Sequence, residues 1–383
     1  MNDMIQQFSF ATAGEILFGD GTAAQLPERI ARFGNRMFLV TGSKSDRAEA
    51  LLKGSEGAPV IFSIPGEPTV DLIREGAALA REKKCDVVVA VGGGSVIDGG
   101  KAISALLTNH GDLFDYLEVI GKGSLLENAT APFIAVPTTA GTGAEVTKNA
   151  VLASREHRVK VSMRSPYMIP DLAIVDPVLT HSVPPDITAS TGLDALTQVI
   201  EPFVSKKRNP LTDALCREGI KRAARSLKRV FDDGADAGAR SDMALASLFG
   251  GLALANAGLG AVHGFAGPIG GMFPAPHGVI CGRLLPHVFK ANIEAAAENN
   301  ELYSRFKEVS QLITGNPDAE CEDGIQWLET LCGHLGIKSL SAYGVGVEHL
   351  EEITAAAMRA SSMKGNPVEL SEKKLQNIIR YAL

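Results

Sequence analysis

From about residue 37 the chain alternates short, wholly apolar runs with longer segments whose apolar residues recur every three or four positions. The runs MFLVT (37–41), PVIFSI (59–64), DVVVAV (86–91), FIAVP (133–137) and LAIVD (172–176) have the length of strands. They lack a polar face, as strands buried on both sides do. Between them, VDLIREGAALAREKK (70–84) places its apolar residues at helical spacing. Strand–helix alternation predicts a mostly parallel sheet with helices on both faces. After SVPPDI the pattern changes. Strand-like runs largely disappear, and helices are predicted over 186–204, 211–233, 241–258, 287–314, 320–335 and 347–361. The expected organisation is an α/β domain over residues 1–183 and an all-helical domain over 184–383. The boundary falls at Pro184–Pro185, and no internal repeat or low-complexity segment is present.

Composition narrows the class. A chain of 383 residues exceeds one ordinary core, and 45% apolar with 21% charged residues is the balance of a soluble globular protein. The net charge of −7 argues against nucleic-acid or anionic-membrane partners. The five cysteines, Cys85, Cys216, Cys281, Cys321 and Cys332, are scattered without a C-x-x-C pair. Neither a zinc ribbon nor a disulfide framework is expected from them. No apolar run reaches the roughly 20 residues of a membrane span. The opening residues MNDMIQQFSFATAG lack a basic region followed by an apolar core, so no signal peptide is read. The expectation is a cytoplasmic protein.

The glycines gather at turns. In CDVVVAVGGGSVIDGGKAIS (85–104) a strand runs through Gly92-Gly93-Gly94-Ser95 into a helix. Glycines there let a ligand approach the backbone, and a helix N-terminus offers free N–H groups to a diphosphate. The turn is neither G-x-G-x-x-G nor a Walker motif, and alone it also reads as a tight strand-to-helix turn. A second strand-end turn, VPTTAGTGAEVT (136–147), is rich in Thr and Gly. Two such turns in one α/β domain favour a nucleotide site.

Further on, TGLDALTQVIEP (191–202) sets Asp194 and Gln198 one helical turn apart on a common face. The segment GLGAVHGFAGPIGGMFPAPHGVICGRLLPHV (258–288) holds His263, His277 and His287, the first two each before a glycine. A helix ending near Pro268 and a turn back would bring His263 and His277 together. With Asp194 and Gln198 they form a candidate set of two nitrogen and two oxygen donors, which suits Zn²⁺ or Fe²⁺ rather than Ca²⁺. A core histidine or a polar helix face is the plainer reading of each residue alone. His110, His157, His181, His334 and His349 lie in polar contexts and read as surface residues.

Taken in order, GGGSVID, PTTAGTGAEVT, the D-A-L-T segment and GLGAVHGFAGPIG…PHG resemble the iron-containing (group III) alcohol dehydrogenase family. The resemblance runs from FATAGEILFGDGT into the helical domain, and LSEKKLQNIIRYAL fits as a helical tail. It implies a Rossmann-like nucleotide-binding domain plus an all-α domain, the dehydroquinate synthase-like fold, with the active site in the cleft between them. It also implies hydride transfer between nicotinamide and a small alcohol or aldehyde. Gly93, Gly94, Ser95 and Asp98 would hold the diphosphate. Thr138, Thr139 and Thr142 would contact phosphate or nicotinamide, with Lys160 and Leu179 nearby. The family's metal is held by one Asp and three His. Asp194, His263 and His277 match three of those places.

Two departures stand out. The remaining ligand place, usually His, is Gln198, whose neutral amide oxygen is a weaker donor than imidazole. A further family histidine near the substrate is Gly267, which with Phe265, Met272 and Phe273 suggests a roomier, less polar pocket. The metal is therefore expected to be weakened or absent, and without it His263 or His277 would serve as proton donor. The family reads NAD against NADP at the end of the second strand. There Gly42, Ser43 and Lys44 offer no acid for the ribose 2′-OH and a cation for a 2′-phosphate, so NADP is expected over NAD. Two other readings stay open: a metal-independent carbonyl reductase of the maleylacetate-reductase kind, and a catalytically silent nucleotide-binding relative. By analogy the protein would be a homodimer or larger homo-oligomer.

Overall fold

The computed structural model describes residues 7–157 and 159–383. The first six residues of the opening segment lie outside them.

Ala13–Val183 form one compact unit. In chain order it comprises β1 (Glu15–Phe18), α1 (Leu26–Ile30), β2 (Met37–Thr41), α2 (Asp46–Leu51), β3 (Val60–Ser63), α3 (Val70–Glu82) and β4 (Val87–Gly92). There follow α4 (Gly94–Thr108), α5 (Leu113–Tyr116), β5 (Phe133–Pro137), β6 (Asn149–Ser154), β7 (Val159–Arg164) and β8 (Leu172–Val175). Six strands form a parallel sheet in the order β1-β8-β5-β4-β2-β3. Side-chain alternation divides the apolar strands between two cores. Val88 and Ala90 of β4 join Phe38, Phe133 and Ile103 on one face, while Val87, Val89 and Val91 join Leu39, Ile134 and Leu26 on the other. The inner strands β2, β4, β5 and β8 are buried at every position because both faces are covered. Sequence reading missed β1 and the antiparallel pair β6–β7, whose burial alternates residue by residue along β6.

Pro184–Leu383, with the described residues up to Thr12, form the second unit. Residues 7–12, expected in the α/β domain, group here because the Ala11 N–H donates to Asn256 Oδ1 (2.7 Å) and Asn256 Nδ2 donates back to the Ala11 carbonyl (2.9 Å). The helices are α6 (Pro185–Val204), α7 (Pro210–Asp232), α8 (Ala237–Ala257), α9 (Ala261–Met272) and α10 (His277–Ala295). They continue as α11 (Asn300–Thr314), α12 (Cys321–His334), α13 (Leu350–Arg359) and α14 (Glu372–Ala382). Pro184 is extended and Pro185 opens α6, as the Pro-Pro entry predicts. α6 is buried along most of its length and packs against α7, α8 and α10.

Two helical expectations need correction. The segment 287–314 is two helices, because Asn299 accepts from the Leu302 N–H and starts α11 afresh. α9 does not stop at Pro268 but continues to Met272. The bond lost at Pro268 is offset by burial of Val262, His263, Phe265, Ala266 and Ile269 along the same helix. No single helix among the described residues is long and apolar enough to cross a membrane.

Candidate metal centre and nucleotide turns

Asp194, Gln198 and Glu201 occupy one face of α6 at i, i+4 and i+7, and all three are buried. Polar groups at such depth need partners. Glu201 Oε1 accepts the Val262 N–H (2.7 Å), and its Oε2 lies 2.7 Å from His263 Nδ1. A carboxylate there fixes a proton on Nδ1 and leaves Nε2 as the nitrogen that could ligate an ion. That Nε2 lies 3.1 Å from Asp194 Oδ1 and 3.8 Å from Cys281 Sγ. His277 Nε2 is 3.8 Å from the same Asp194 oxygen. Asp194, His263, His277 and Cys281 each offer a ligand atom, and these atoms lie within 4.8 Å of one another. His277 is the partly exposed member of the group, its side chain 37% accessible.

Close helix approach creates this convergence. His277 and Cys281 stand one turn apart in the first turns of α10, each followed by a glycine. A Cβ on Gly278 would lie 1.9 Å from the Ser190 carbonyl oxygen, and one on Gly282 would lie 2.5 Å from Leu193 Cδ1. The two bare positions seat α10 directly on α6. His263 sits in the first turn of α9.

Charge inside the cluster is mutually supported. Burial pushes the Asp194 carboxyl up, but His277 and His263 outweigh it and hold it below the usual carboxylate range. Burial pulls His263 down, yet Cys281, Asp194 and Glu201 together raise it well above an ordinary imidazole. His277 is raised by Cys281 and Asp194 against the same burial penalty. The Cys281 thiol, which burial alone would raise, is lowered by the two histidines. Two imidazoles, a carboxylate and a thiol around one point suit a divalent transition metal rather than Ca²⁺ or Mg²⁺.

The structure thus brings Asp194, His263 and His277 together as expected. Gln198 is buried on the same helix face, with Gly250 letting α8 approach its Cβ. Sequence reading missed Cys281 and Glu201. The signals were present: Cys281 follows His277 by one helical turn, and Glu201 is an acid on an apolar helix, two turns after Asp194. His287 takes no part in the cluster; burial, then Arg283 and Lys290, lower it to about 4 and keep it neutral. Phe265 is fully buried core rather than pocket wall, and Phe273 packs edge-on against His349. Gly267 does face open space, with nothing within 4 Å of an added Cβ.

Glu201→Gln should leave the Val262 bond possible but place an amide donor against the Nδ1 proton. Metal affinity, measured by competition with a chelating dye, is expected to fall roughly 10–100-fold, with folding retained. An unchanged affinity would remove Glu201 from the orienting role.

In the α/β unit the two glycine turns meet. α4 begins at Gly94 behind an extended Gly93, and no side chain caps it, so its first N–H groups are left for a ligand. A Cβ on Gly94 would lie 2.8 Å from Thr142 Oγ1, and one on Gly93 3.4 Å from Thr139 Oγ1. The Thr138 N–H donates to the Gly92 carbonyl (2.9 Å), fixing the second turn beside the first. Ser95 stands in the first turn of α4 with them.

Asp98 is differently employed from the diphosphate role that the resemblance implied. It accepts the Val151 N–H (3.0 Å) and lies 3.3 Å from Lys101 Nζ, tying α4 to β6. Lys160 pairs with Glu67 (2.8 Å), and the Leu179 carbonyl accepts from Arg47 (2.8 Å). Gly42 follows β2 with nothing within 4 Å of an added Cβ, while Ser43 and Lys44 are exposed.

Comparison with known proteins places these features. Residues 13–177 match the family described as iron-containing alcohol dehydrogenase, and residues 188–383 match its C-terminal part, Fe-containing alcohol dehydrogenase family, C-terminal. A 1,3-propanediol dehydrogenase of Klebsiella pneumoniae is 33% identical over 98% of this chain and 99% of its own length. The crystal structure of a 1,3-propanediol oxidoreductase, 33% identical, superposes with a TM-score of 0.91 over 99% of this chain and 100% of that one. A sulfoacetaldehyde reductase from Bifidobacterium kashiwanohense, solved in complex with NAD⁺, is 30% identical with a TM-score of 0.88, covering 98% of each chain.

Proposed function

Because the chain belongs to the iron-containing alcohol dehydrogenase family, we propose that it transfers hydride between a nicotinamide cofactor, NADPH before NADH, and a small alcohol or aldehyde held at a divalent metal. The observation that carries the metal part is the convergence of Asp194, His263 and His277, with Glu201 fixing the His263 tautomer. These three residues would hold the ion, which when bound supplies a Lewis acid toward the substrate oxygen.

The protein's own groups have separable tasks. Asp194 supplies the negative charge that both imidazoles face. Glu201 keeps the His263 Nδ1 proton in place, so that Nε2 points to the cluster. His277, the partly exposed ring, marks the side from which a substrate oxygen reaches the donors. In the α/β unit the first N–H groups of α4, at Gly94 and Ser95, would receive the diphosphate. Thr138, Thr139 and Thr142 would add hydroxyl contacts. The open space at Gly267 suits a substrate bulkier than a histidine at that place would admit.

Preference for NADPH rests on the end of β2. Gly42 leaves room for a 2′-phosphate, no acid stands among Gly42, Ser43 and Lys44 to repel it, and Ser43 and Lys44 can donate to it. With an aldehyde substrate, kcat/KM for NADPH should exceed that for NADH by about 10-fold or more, the worth of one charge-assisted contact. Gly42→Asp should reverse the order. A clear NADH preference in the unaltered enzyme would refute the assignment.

One observation favours a metal-independent reductase. Both ring nitrogens of His263 lie within hydrogen-bonding distance of carboxylates, at 2.7 and 3.1 Å, as in a charged imidazolium. A screen of aldehydes and alcohols with metal-stripped and reconstituted enzyme decides between the readings. Restoration of turnover by added metal supports the first, and equal turnover in both samples supports the second.

A further inference from the structure

We propose that Cys281 is a thiolate ligand that completes the metal centre, supplying from α10 the strong donor that α6 does not offer at Gln198. The inference rests on the reading that the centre holds a metal.

Geometry carries it. In a tetrahedral site with bonds of about 2.0–2.3 Å, neighbouring donor atoms stand about 3.3–3.7 Å apart. The Cys281 Sγ to His263 Nε2 distance is 3.8 Å, the Asp194 Oδ1 to His277 Nε2 distance is 3.8 Å, and the His263 Nε2 to Asp194 Oδ1 distance is 3.1 Å. These separations bracket the tetrahedral edge, and all four donor atoms fit within 4.8 Å. Cys281 is fully buried, and its Sγ groups with both imidazoles and the Asp194 carboxylate. Ligation would release the thiol proton to solvent.

The pairing is also one of helix register. Asp194 and Gln198 are one turn apart on α6, and His277 and Cys281 are one turn apart on α10. Gly278 and Gly282 bring that face of α10 against α6, carrying Cys281 into the cluster with His277. The other described cysteines do not belong to this group. A thiolate in place of an oxygen or nitrogen donor makes the centre softer, so zinc or cobalt should be retained over ferrous iron more strongly than by an all-N/O set. Four protein donors leave room for substrate by expansion to five-coordination, from the side of the exposed His277.

The test uses full-length protein stripped and reloaded with zinc or cobalt alone. X-ray absorption of the zinc form should show one sulfur scatterer at about 2.3 Å. The cobalt form should show a thiolate-to-metal charge-transfer band in the near ultraviolet. Cys281→Ser should abolish both signals and weaken zinc binding by roughly 100-fold or more, beyond the usual loss from an outer-sphere change. It should retain visible cobalt bands at high cobalt. Zinc bound through nitrogen and oxygen alone, or a sulfur signal that survives in Cys281→Ser, overturns the assignment and leaves the metal centre standing. Failure of the unaltered protein to retain either metal overturns both. If Cys281→Ser does not fold, the zinc spectrum of the unaltered protein still decides.

Discussion

Asp194→Asn is expected to lower kcat/KM by about 10³-fold or more and to bring metal content close to zero, with the fold intact. Asparagine keeps the shape of the buried side chain, but it removes the carboxylate charge that both His263 and His277 face, at 3.1 and 3.8 Å. A loss of about 4 kcal/mol in transition-state stabilisation corresponds to that factor, a magnitude ordinary for losing charge at a metal-assisted carbonyl reduction. Elemental analysis, kcat/KM with NADPH and a thermal unfolding trace on the same preparation check the expectation. Normal activity with normal metal content would remove Asp194 from the centre.

Gly278→Ala is the largest stability effect expected. The added Cβ would sit 1.9 Å from the Ser190 carbonyl oxygen and 2.5 Å from its carbon, so backbone rather than a flexible side-chain end must move. Overpacking that a side chain cannot absorb costs about 3 kcal/mol or more. Because α10 carries His277 and Cys281, the displacement should also weaken metal binding. Gly333→Ala on α12 is the matched control: nothing lies within 4 Å of its Cβ, and it should stabilise by about 0.5–1 kcal/mol. Denaturant unfolding of the two variants should move in opposite directions. Equal behaviour would mean that α10 tolerates a wider seat on α6.

Much of the α/β unit was legible because its buried strands are continuous apolar runs, a pattern that survives without any knowledge of neighbours. The β6–β7 pair gave a weaker signal, because NAVLAS holds an apolar run of only four residues (150–153) and VKVSMR alternates polar and apolar residues after a charged turn. β1, four residues long and only half-buried, gave no comparable signal. In the helical unit the spacing of Asp194 and the glycine-flanked His263 and His277 was readable. What joins them was not. Spacing along one helix says nothing about which face of another lies opposite, and it was Gly278 against Ser190 that set Cys281 beside His263. Asp98 looked like part of a phosphate turn by position alone. Only the fold reveals that Lys101 and the Val151 N–H already use its carboxylate.

The paired bonds of Ala11 with Asn256 bear on the order of events during synthesis. They join residues 245 positions apart, whereas the strands of Ala13–Val183 are encoded without interruption between them. At translation speeds of about 5–20 residues per second, the Ala11 backbone waits roughly 10–50 s for its amide partner to appear. Through that interval the sheet can mature with its N-terminal neighbour still unanchored. This stitch between distant residues is therefore a late one, made only after the whole of Ala13–Val183 has been synthesised.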